Sequence, residues 1–246
     1  MAPDPTTDDV ASAVSRAVAE LGGDDLARAL DRDGYAVTAG PILDAATAQA
    51  LRDGFDDDHR FRSTVDMARL RYGRGTYRYY RHPLPPVVAA LREATYPPLA
   101  AVADAWAARL GTEPVPPTLA GLLDRCHAAG QDKPTPLVLR YGPGDWNALH
   151  QDIYGEVAFP LQLAIALTAP GDDFTGGENL FVEQRPRAQS RGVAVSVPLG
   201  HGLVFPNRHR PEAGARGDHR LAVRHGVSTV RSGQRVTLGI IYHDAR

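Results

Sequence analysis

From residue 136 onward the chain is a succession of short apolar runs cut by Gly, Pro and Asp, and this rhythm restricts its fold more than any other feature. The runs are "PLVLRY" (136–141), a short piece around Asn147–Gln151, "FPLQLAIALT" (159–168), "NLFVE" (179–183), "VAVSV" (193–197), "GLVFP" (202–206), "AVRHGVSTV" (222–230) and "RVTLGIIYH" (235–243). They are short, rich in β-branched residues and bounded by turn formers, which makes them about eight strands. Such a set closes into a sandwich or barrel, and a jelly roll fits best.

The first half reads differently. Residues 8–31 carry Ala, Val and Leu at helical spacing and are interrupted at Gly22-Gly23, which predicts two short helices. "GYAVTAG" (34–40) predicts a strand, and "PILDAATAQALRDGF" (41–55) a helix with Asp44 as its N-cap. Residues 86–110 predict two further amphipathic helices broken at Pro97-Pro98. The expected class is α+β: one domain over 1–246, with a mainly helical part (1–135) packed on a jelly-roll, cupin-like core (136–246). A length of 246 residues with 43% apolar content supports one such core.

Composition narrows the chemistry. One cysteine, Cys126, excludes an internal disulfide and a cysteine-based zinc site, so any metal must be held by His and carboxylate. The start "MAPDPTTDDV" is acidic and apolar-poor, and no run reaches membrane-spanning length; the expectation is a cytoplasmic protein with no membrane partner. Residues 1–58 carry 13 acidic against 4 basic residues, whereas the remainder carries 16 against 23. A basic second half can draw in an anionic substrate or co-substrate, although 26 of the 27 basic residues are Arg and composition alone produces such a bias equally well.

Within "LRYGPGDWNALHQDIYGE" (139–156), His150 and Asp152 are two residues apart. In extended backbone they share a face, and together they make two-thirds of a 2-His-1-carboxylate set that leaves positions open on non-haem Fe(II). Five histidines lie downstream as third-ligand candidates: His201, His209, His219, His225 and His243. His225 is favoured because it sits inside a β-type run and is followed ten residues later by Arg235, at the start of the last apolar strand. A buried arginine beside a metal needs an anionic partner, and a dicarboxylate chelating that metal would supply one.

"HQD" (150–152), "FTGGE" (174–178) and "HGVSTVRSGQR" (225–235) resemble the Fe(II)/2-oxoglutarate-dependent dioxygenases, in their prolyl-hydroxylase-like branch. Over residues ~136–246, "GDWNALHQDIYGEVAFPLQ", "DDFTGGENLFVEQRPRAQSR" and "RHGVSTVRSGQRVTLGIIYHDA" are similar to a bacterial oxygenase group labelled as acting on damaged, alkylated nucleic acid. The resemblance implies a double-stranded β-helix, Fe(II) on His150, Asp152 and His225, and 2-oxoglutarate held by Arg235 with Tyr141 and, more weakly, Thr237. It implies O2 as oxidant, ascorbate as a candidate reductant, and a structural turn at Gly176-Gly177-Glu178.

Substrate residues must be read elsewhere. Residues 60–82, "RFRSTVDMARLRYGRGTYRYYRH", interleave seven arginines with four tyrosines, a composition suited to phosphates and stacked bases. Arg74, Tyr77 and Arg78 are the candidates there, with Trp146 beside the iron motif. The basic loop expected in "NRHRPEAGARGDHR" (207–220) could sit at the mouth of the site. The alternative for 60–82 is a lid over 2-oxoglutarate. Alkylated single-stranded or base-flipped DNA is the first expectation for the substrate. The His225–Arg235 spacing is shorter than in the well-known alkylation-repair dioxygenases, which keeps a peptide hydroxylase and a small-molecule oxygenase open. A non-catalytic cupin-like binder would leave Arg235 without a purpose.

Overall fold

The computed structural model describes residues 4–185, 189–214 and 217–246. Arg187 and Arg216, in two of the basic stretches quoted above, lie outside the described residues. The helices are α1 (Thr7–Leu21), α2 (Asp24–Asp33), α3 (Ala45–Asp53), α4 (Met67–Leu70), α5 (Pro86–Leu110) and α6 (Leu119–Ala128). The strands are β1 (Ala36–Val37), β2 (Phe61–Asp66), β3 (Gly73–Arg74), β4 (Thr76–Tyr80), β5 (Leu137–Tyr141), β6 (Trp146–His150), β7 (Leu161–Ala166), β8 (Phe174–Gly176), β9 (Asn179–Gln184), β10 (Arg191–Val195), β11 (Gly202–Pro206), β12 (His209–Gly214), β13 (Gly217–Val227), β14 (Val230–Gly233) and β15 (Arg235–Ile241).

The first helices start and stop where local chemistry dictates. Thr6 and Asp9 form a reciprocal capping box at the start of α1, and Gly22-Gly23 separates it from α2. Asp44 accepts a hydrogen bond from the Thr47 amide at 2.8 Å and so caps α3 as expected. The break expected at Pro97-Pro98 does not occur: α5 is continuous through both prolines. They fall on the outer face of the helix, where carbonyls deprived of an amide partner can turn to water, while Leu91, Thr95, Leu99, Ala103 and Trp106 continue one buried stripe.

Among the described residues, seven strands form one sheet in the order β1-β11-β7-β15-β5-β4-β2, and six form a second. In the second the order is β10-β9-β13-β6-β3, with β12 also paired to β13; β8 and β14 form a short ribbon. The named pairings are all antiparallel. Several segments differ from the sequence reading: the run read as one strand over 222–230 is divided between β13 and β14, and α6 has no counterpart in it. Residues 61–80 supply β2 and β4, which extend the first sheet through β4 and β5, and residues 209–214, read as loop, form β12. β12 was hidden because its buried positions are Arg210 and Pro211, which carry no apolar alternation.

The site follows from parity along the first sheet. In β15, Val236, Leu238 and Ile240 join the core beneath the helices, while Arg235, Thr237 and Gly239 face an internal cavity. In β7, Leu161, Leu163 and Ile165 join that core, and Gln162 and Ala164 face the cavity. The strands are thus buried on both faces, which explains why they read as unbroken apolar runs rather than alternating ones. Among the described residues, no helix is long and apolar enough to cross a membrane.

α5 is locked to the end of β15 by Arg92, which donates to the Ile241 and Tyr242 carbonyls and pairs with Asp244 at 2.8 Å, both side chains being fully enclosed. Asp244→Ala would leave that guanidinium buried and unpaired, at a cost of about 3–5 kcal/mol. A fall of this size in unfolding free energy by urea denaturation is expected, and a loss below about 1 kcal/mol would show that the pair is not needed.

Candidate metal centre

β13 and β6 run antiparallel with His225 opposite His150, and the two imidazole rings are 4.3 Å apart. This approach depends on Gly226: a Cβ there would lie 2.7 Å from the Asn147 carbonyl oxygen. β6 ends at His150, so Asp152 stands just past the strand rather than within it. Its carboxylate nevertheless returns to the same place, with Oδ2 3.1 Å from His225 Nε2 and Oδ1 3.5 Å from His150 Nε2. The three residues each offer one ligand atom, all within 4.8 Å of one another.

Hydrogen bonds fix these groups in metal-binding form. His150 Nδ1 lies 2.7 Å from the Ala148 carbonyl, which can only accept, so Nδ1 carries a proton and Nε2 is the nitrogen turned toward Asp152. Asp152 is 9% exposed; burial alone would raise its pKa, but His225 and His150 hold it well below the usual carboxylate range. Burial pushes His225 down, with His150 adding to the effect, while Asp152 opposes it. His150 is moved up on balance, since Asp152 and the Ala148 carbonyl outweigh its burial. An ionised carboxylate enclosed with two imidazoles is a place that favours a cation. His225 Nδ1 is buried without a hydrogen-bond partner among the described residues, so this ring is engaged through Nε2, on the Asp152 side. The donor set fits non-haem Fe(II).

Two groups that the sequence reading did not single out clamp Asp152. Tyr154 donates to Oδ1 at 2.8 Å, and Gln162 Nε2 donates to Oδ2 at 2.8 Å while lying 3.3 Å from His225 Nε2. Gln162 had a signal: it is the polar residue inside the apolar run "LQLAIAL", on the cavity side of β7. Tyr154 had none beyond its nearness to the motif.

The candidate metal ligands open onto a cavity of about 600 Å³, which Tyr141, Arg235 and Thr237 also line. Arg235 stands opposite Tyr141 on β5, and its guanidinium lies 5.5 Å from that ring. It is 5% exposed and donates to Asn179 Oδ1 at 2.9 Å, yet among the described residues no carboxylate lies within 4.0 Å of it. Burial lowers its pKa, because a charge held out of water is penalised. Gly177, in the left-handed region at φ 65°, has the arginine stem against it: a Cβ there would lie 2.9 Å from Arg235 Cδ. The turn "TGGE" therefore makes room for the arginine. Tyr141 is wholly buried, its hydroxyl pushed up to about 12 by burial, with Asn147 donating to it at 3.4 Å.

The expected substrate residues separate. Tyr77 lines the cavity, packed edge-on to Tyr79, which in turn meets Tyr154. Arg78 does not reach it: its side chain is buried against Phe55 and Phe61, donates to the Phe55 carbonyl and pairs with Asp58. Arg74 and Trp146 are exposed and face one another across β3 and β6, outside the cavity wall.

A family model named Oxygenase-NA, described as "Oxygenase, catalysing oxidative methylation of damaged DNA", matches residues 75–245. Uncharacterized proteins of two strains of Mycobacterium tuberculosis are 56% identical over 164 residues, covering 66% of this chain and 70% of theirs. Among solved structures, an oxidoreductase of the 2OG-Fe(II) oxygenase family from Burkholderia pseudomallei has a TM-score of 0.52 at 17% identity, over 90% of this chain and 92% of that one. A prolyl hydroxylase from Trichoplax adhaerens, solved with a hypoxia inducible factor peptide, has a TM-score of 0.51 at 11% identity, over 98% and 94%. At these identities the two structures establish a shared fold.

If Tyr154 and Gln162 orient Asp152, Tyr154→Phe and Gln162→Leu should each weaken divalent-metal binding by roughly tenfold or more while the metal-free protein remains folded by circular dichroism. Titration with Co(II), followed by its visible absorption, reads this directly; undiminished affinity in both variants would contradict the clamp.

Proposed function

The chain belongs to the Oxygenase-NA family, and on that premise we propose that it is an Fe(II)- and 2-oxoglutarate-dependent dioxygenase, hydroxylating a substrate C–H bond with release of succinate and CO2. Its two main antiparallel sheets are then the halves of a double-stranded β-helix, the jelly roll of this class, within one catalytic domain over 1–246.

One observation carries the reading: Arg235 is buried, lacks a carboxylate partner among the described residues, and borders the cavity that holds His150, Asp152 and His225. An uncompensated guanidinium in that position is costly unless an anion joins it, and the distal carboxylate of 2-oxoglutarate is an anion of the right shape for a bidentate pair. Thr237, two residues along the same face of β15, adds a hydroxyl beside it, and Tyr141, the cross-strand neighbour of Arg235 on β5, continues the same wall. His150, Asp152 and His225 hold the iron. When bound, iron supplies with 2-oxoglutarate and O2 the oxidising power for C–H hydroxylation. The chain's own part is to fix the ligands, orient the co-substrate and keep bulk water from the reacting carbon.

The favoured substrate is alkylated nucleic acid. Support comes from the family's description and from the tyrosine-rich cavity wall, against which a base removed from its stack can lie. Hydroxylation of an N-alkyl carbon gives a hydroxyalkyl amine, whose C–N bond then breaks to release an aldehyde and restore the base. The short His225–Arg235 spacing supports peptide hydroxylation as the second reading.

Incubation with Fe(II), 2-oxoglutarate, ascorbate and O2 should separate these readings. Methylated single-stranded DNA should give coupled succinate and formaldehyde, whereas a peptide library or a metabolite extract that alone stimulates succinate would overturn the nucleic-acid reading. His150→Ala or Asp152→Ala should abolish turnover with the fold intact. Arg235→Ala should raise the half-saturating 2-oxoglutarate concentration by roughly a hundredfold, the equivalent of about 3 kcal/mol for a buried charge pair. An unchanged requirement would remove Arg235 from co-substrate binding.

A further inference from the structure

The sequence places its densest arginine run at residues 60–82, yet much of that run is already committed within the fold. Arg60 pairs with Asp4 and Asp57, Arg69 with Asp66, and Arg78 with Asp58; Arg62 donates to the Pro134 carbonyl and lies over the Tyr79 ring. Charge that is compensated in this way adds little to the field felt by a polyanion.

Uncompensated charge lies elsewhere. Arg208, Arg220 and Arg224 are exposed, and among the described residues none has a carboxylate within 4.0 Å. They are brought together by the β12–β13 pairing. His209 stands opposite Ala222, Pro211 opposite Arg220, and the Val223 amide donates to the Arg208 carbonyl at 2.8 Å. Leu221, Val223 and His225 point inward along β13, so Arg220 and Arg224 share the outer face. His209 lies partly buried between these charges; burial lowers its pKa, and Arg208 and Arg220 lower it further.

This basic face reaches the mouth of the cavity through Gln151. That residue lines the cavity, and its Nε2 donates to the carbonyls of Arg208 and Val223 at 3.0 and 2.9 Å. Beside it the lip is apolar: Tyr72, Leu149 and Ile153 line the cavity and are each 40% exposed or more, with the exposed Trp146 just outside. On that side Arg71, which lines the cavity, and Arg74, outside it, are exposed and without a carboxylate among the described residues. Free positive charge on both sides of an apolar and aromatic opening matches a chain with alternating needs: phosphates that seek cations and bases that seek apolar surface.

We propose that Arg208, Arg220 and Arg224, with Arg71 and Arg74 across the mouth, form the backbone track for a single-stranded nucleic acid whose target base enters the cavity. This rests on the nucleic-acid reading of the site given above. A single strand is favoured because the candidate metal ligands lie inside the cavity, and an unpaired base enters it without the unpairing cost that a flipped duplex base carries. The track binds phosphates and is indifferent to sequence, so damage is recognised in the cavity and not on this surface.

The test is fluorescence anisotropy of the full chain with a labelled single-stranded oligothymidylate of about 15 nucleotides, near the upper end of common single-strand site sizes. The parent protein should bind with a log–log salt dependence. Arg208→Ser with Arg224→Ser should weaken binding roughly tenfold or more and lower the slope by about 1.4, or 0.7 for each phosphate no longer neutralised. Arg28→Ser on α2, where the arginine is exposed and paired with Asp25, is the control and should change neither value. Circular dichroism and melting point check that the double variant is folded; if it is not, Arg220→Ser alone, expected to lower the slope by about 0.7, replaces it. Parent binding that survives the substitutions unaltered would overturn the track while leaving the nucleic-acid reading in place. Absence of salt-dependent binding by the parent, or equal binding of polyglutamate, would overturn both.

Discussion

Everything in the proposed site depends on the antiparallel pairing of β6 with β13, which sets His150 directly opposite His225. Two imidazoles held at 4.3 Å, one buried and one partly exposed, gain nothing from each other; the ionised Asp152 between them is what makes the arrangement favourable. That carboxylate is in turn satisfied at both oxygens by Tyr154 and Gln162. One cross-strand register therefore specifies a rigid recess in which a carboxylate meets the nitrogens of two imidazoles, and the affinity for a divalent cation follows from that donor set.

The second sheet-level constraint is the alternation along β15. Val236, Leu238 and Ile240 belong to the core under α5 and its neighbours, so Arg235 and Thr237 have no choice but the cavity side. A guanidinium forced inward in this way, with Asn179 as its hydrogen-bond acceptor and Gly177 leaving room for its stem, is arranged for an anion from outside the protein. The proposed co-substrate and metal sites thus lie on the inner faces of two different sheets, and the cavity between them is where a third component, the substrate, has to fit.

Much of this could be seen in the residues beforehand, for identifiable reasons. Runs such as "GLVFP" and "RVTLGIIYH" are long enough and apolar enough that burial on both faces leaves no alternative to strand, and they coincide with β11 and β15. His225 could be chosen over four other histidines because it alone stood inside a β-type run with an arginine at the head of the next strand. What escaped detection depended on packing partners far along the chain. α5 continues through Pro97-Pro98 because the prolines happen to face outward, and β12 exists although Arg210 is buried within it, since Glu183 on β9 pairs with that arginine. Arg78 looked like a phosphate contact until Phe55, Phe61 and Asp58 enclosed it. Local pattern reports which face a residue occupies; it does not report whether a charge already has its partner.

The central claim is that His150, Asp152 and His225 hold iron beside an Arg235 that anchors 2-oxoglutarate, so that the co-substrate chelates the metal. Anaerobic visible spectroscopy tests this without knowledge of the substrate. Addition of 2-oxoglutarate to the Fe(II)-loaded protein should produce a metal-to-ligand charge-transfer band that requires both components and is lost in Asp152→Ala. No band at saturating iron and 2-oxoglutarate, or a band that persists in Asp152→Ala, would contradict the account.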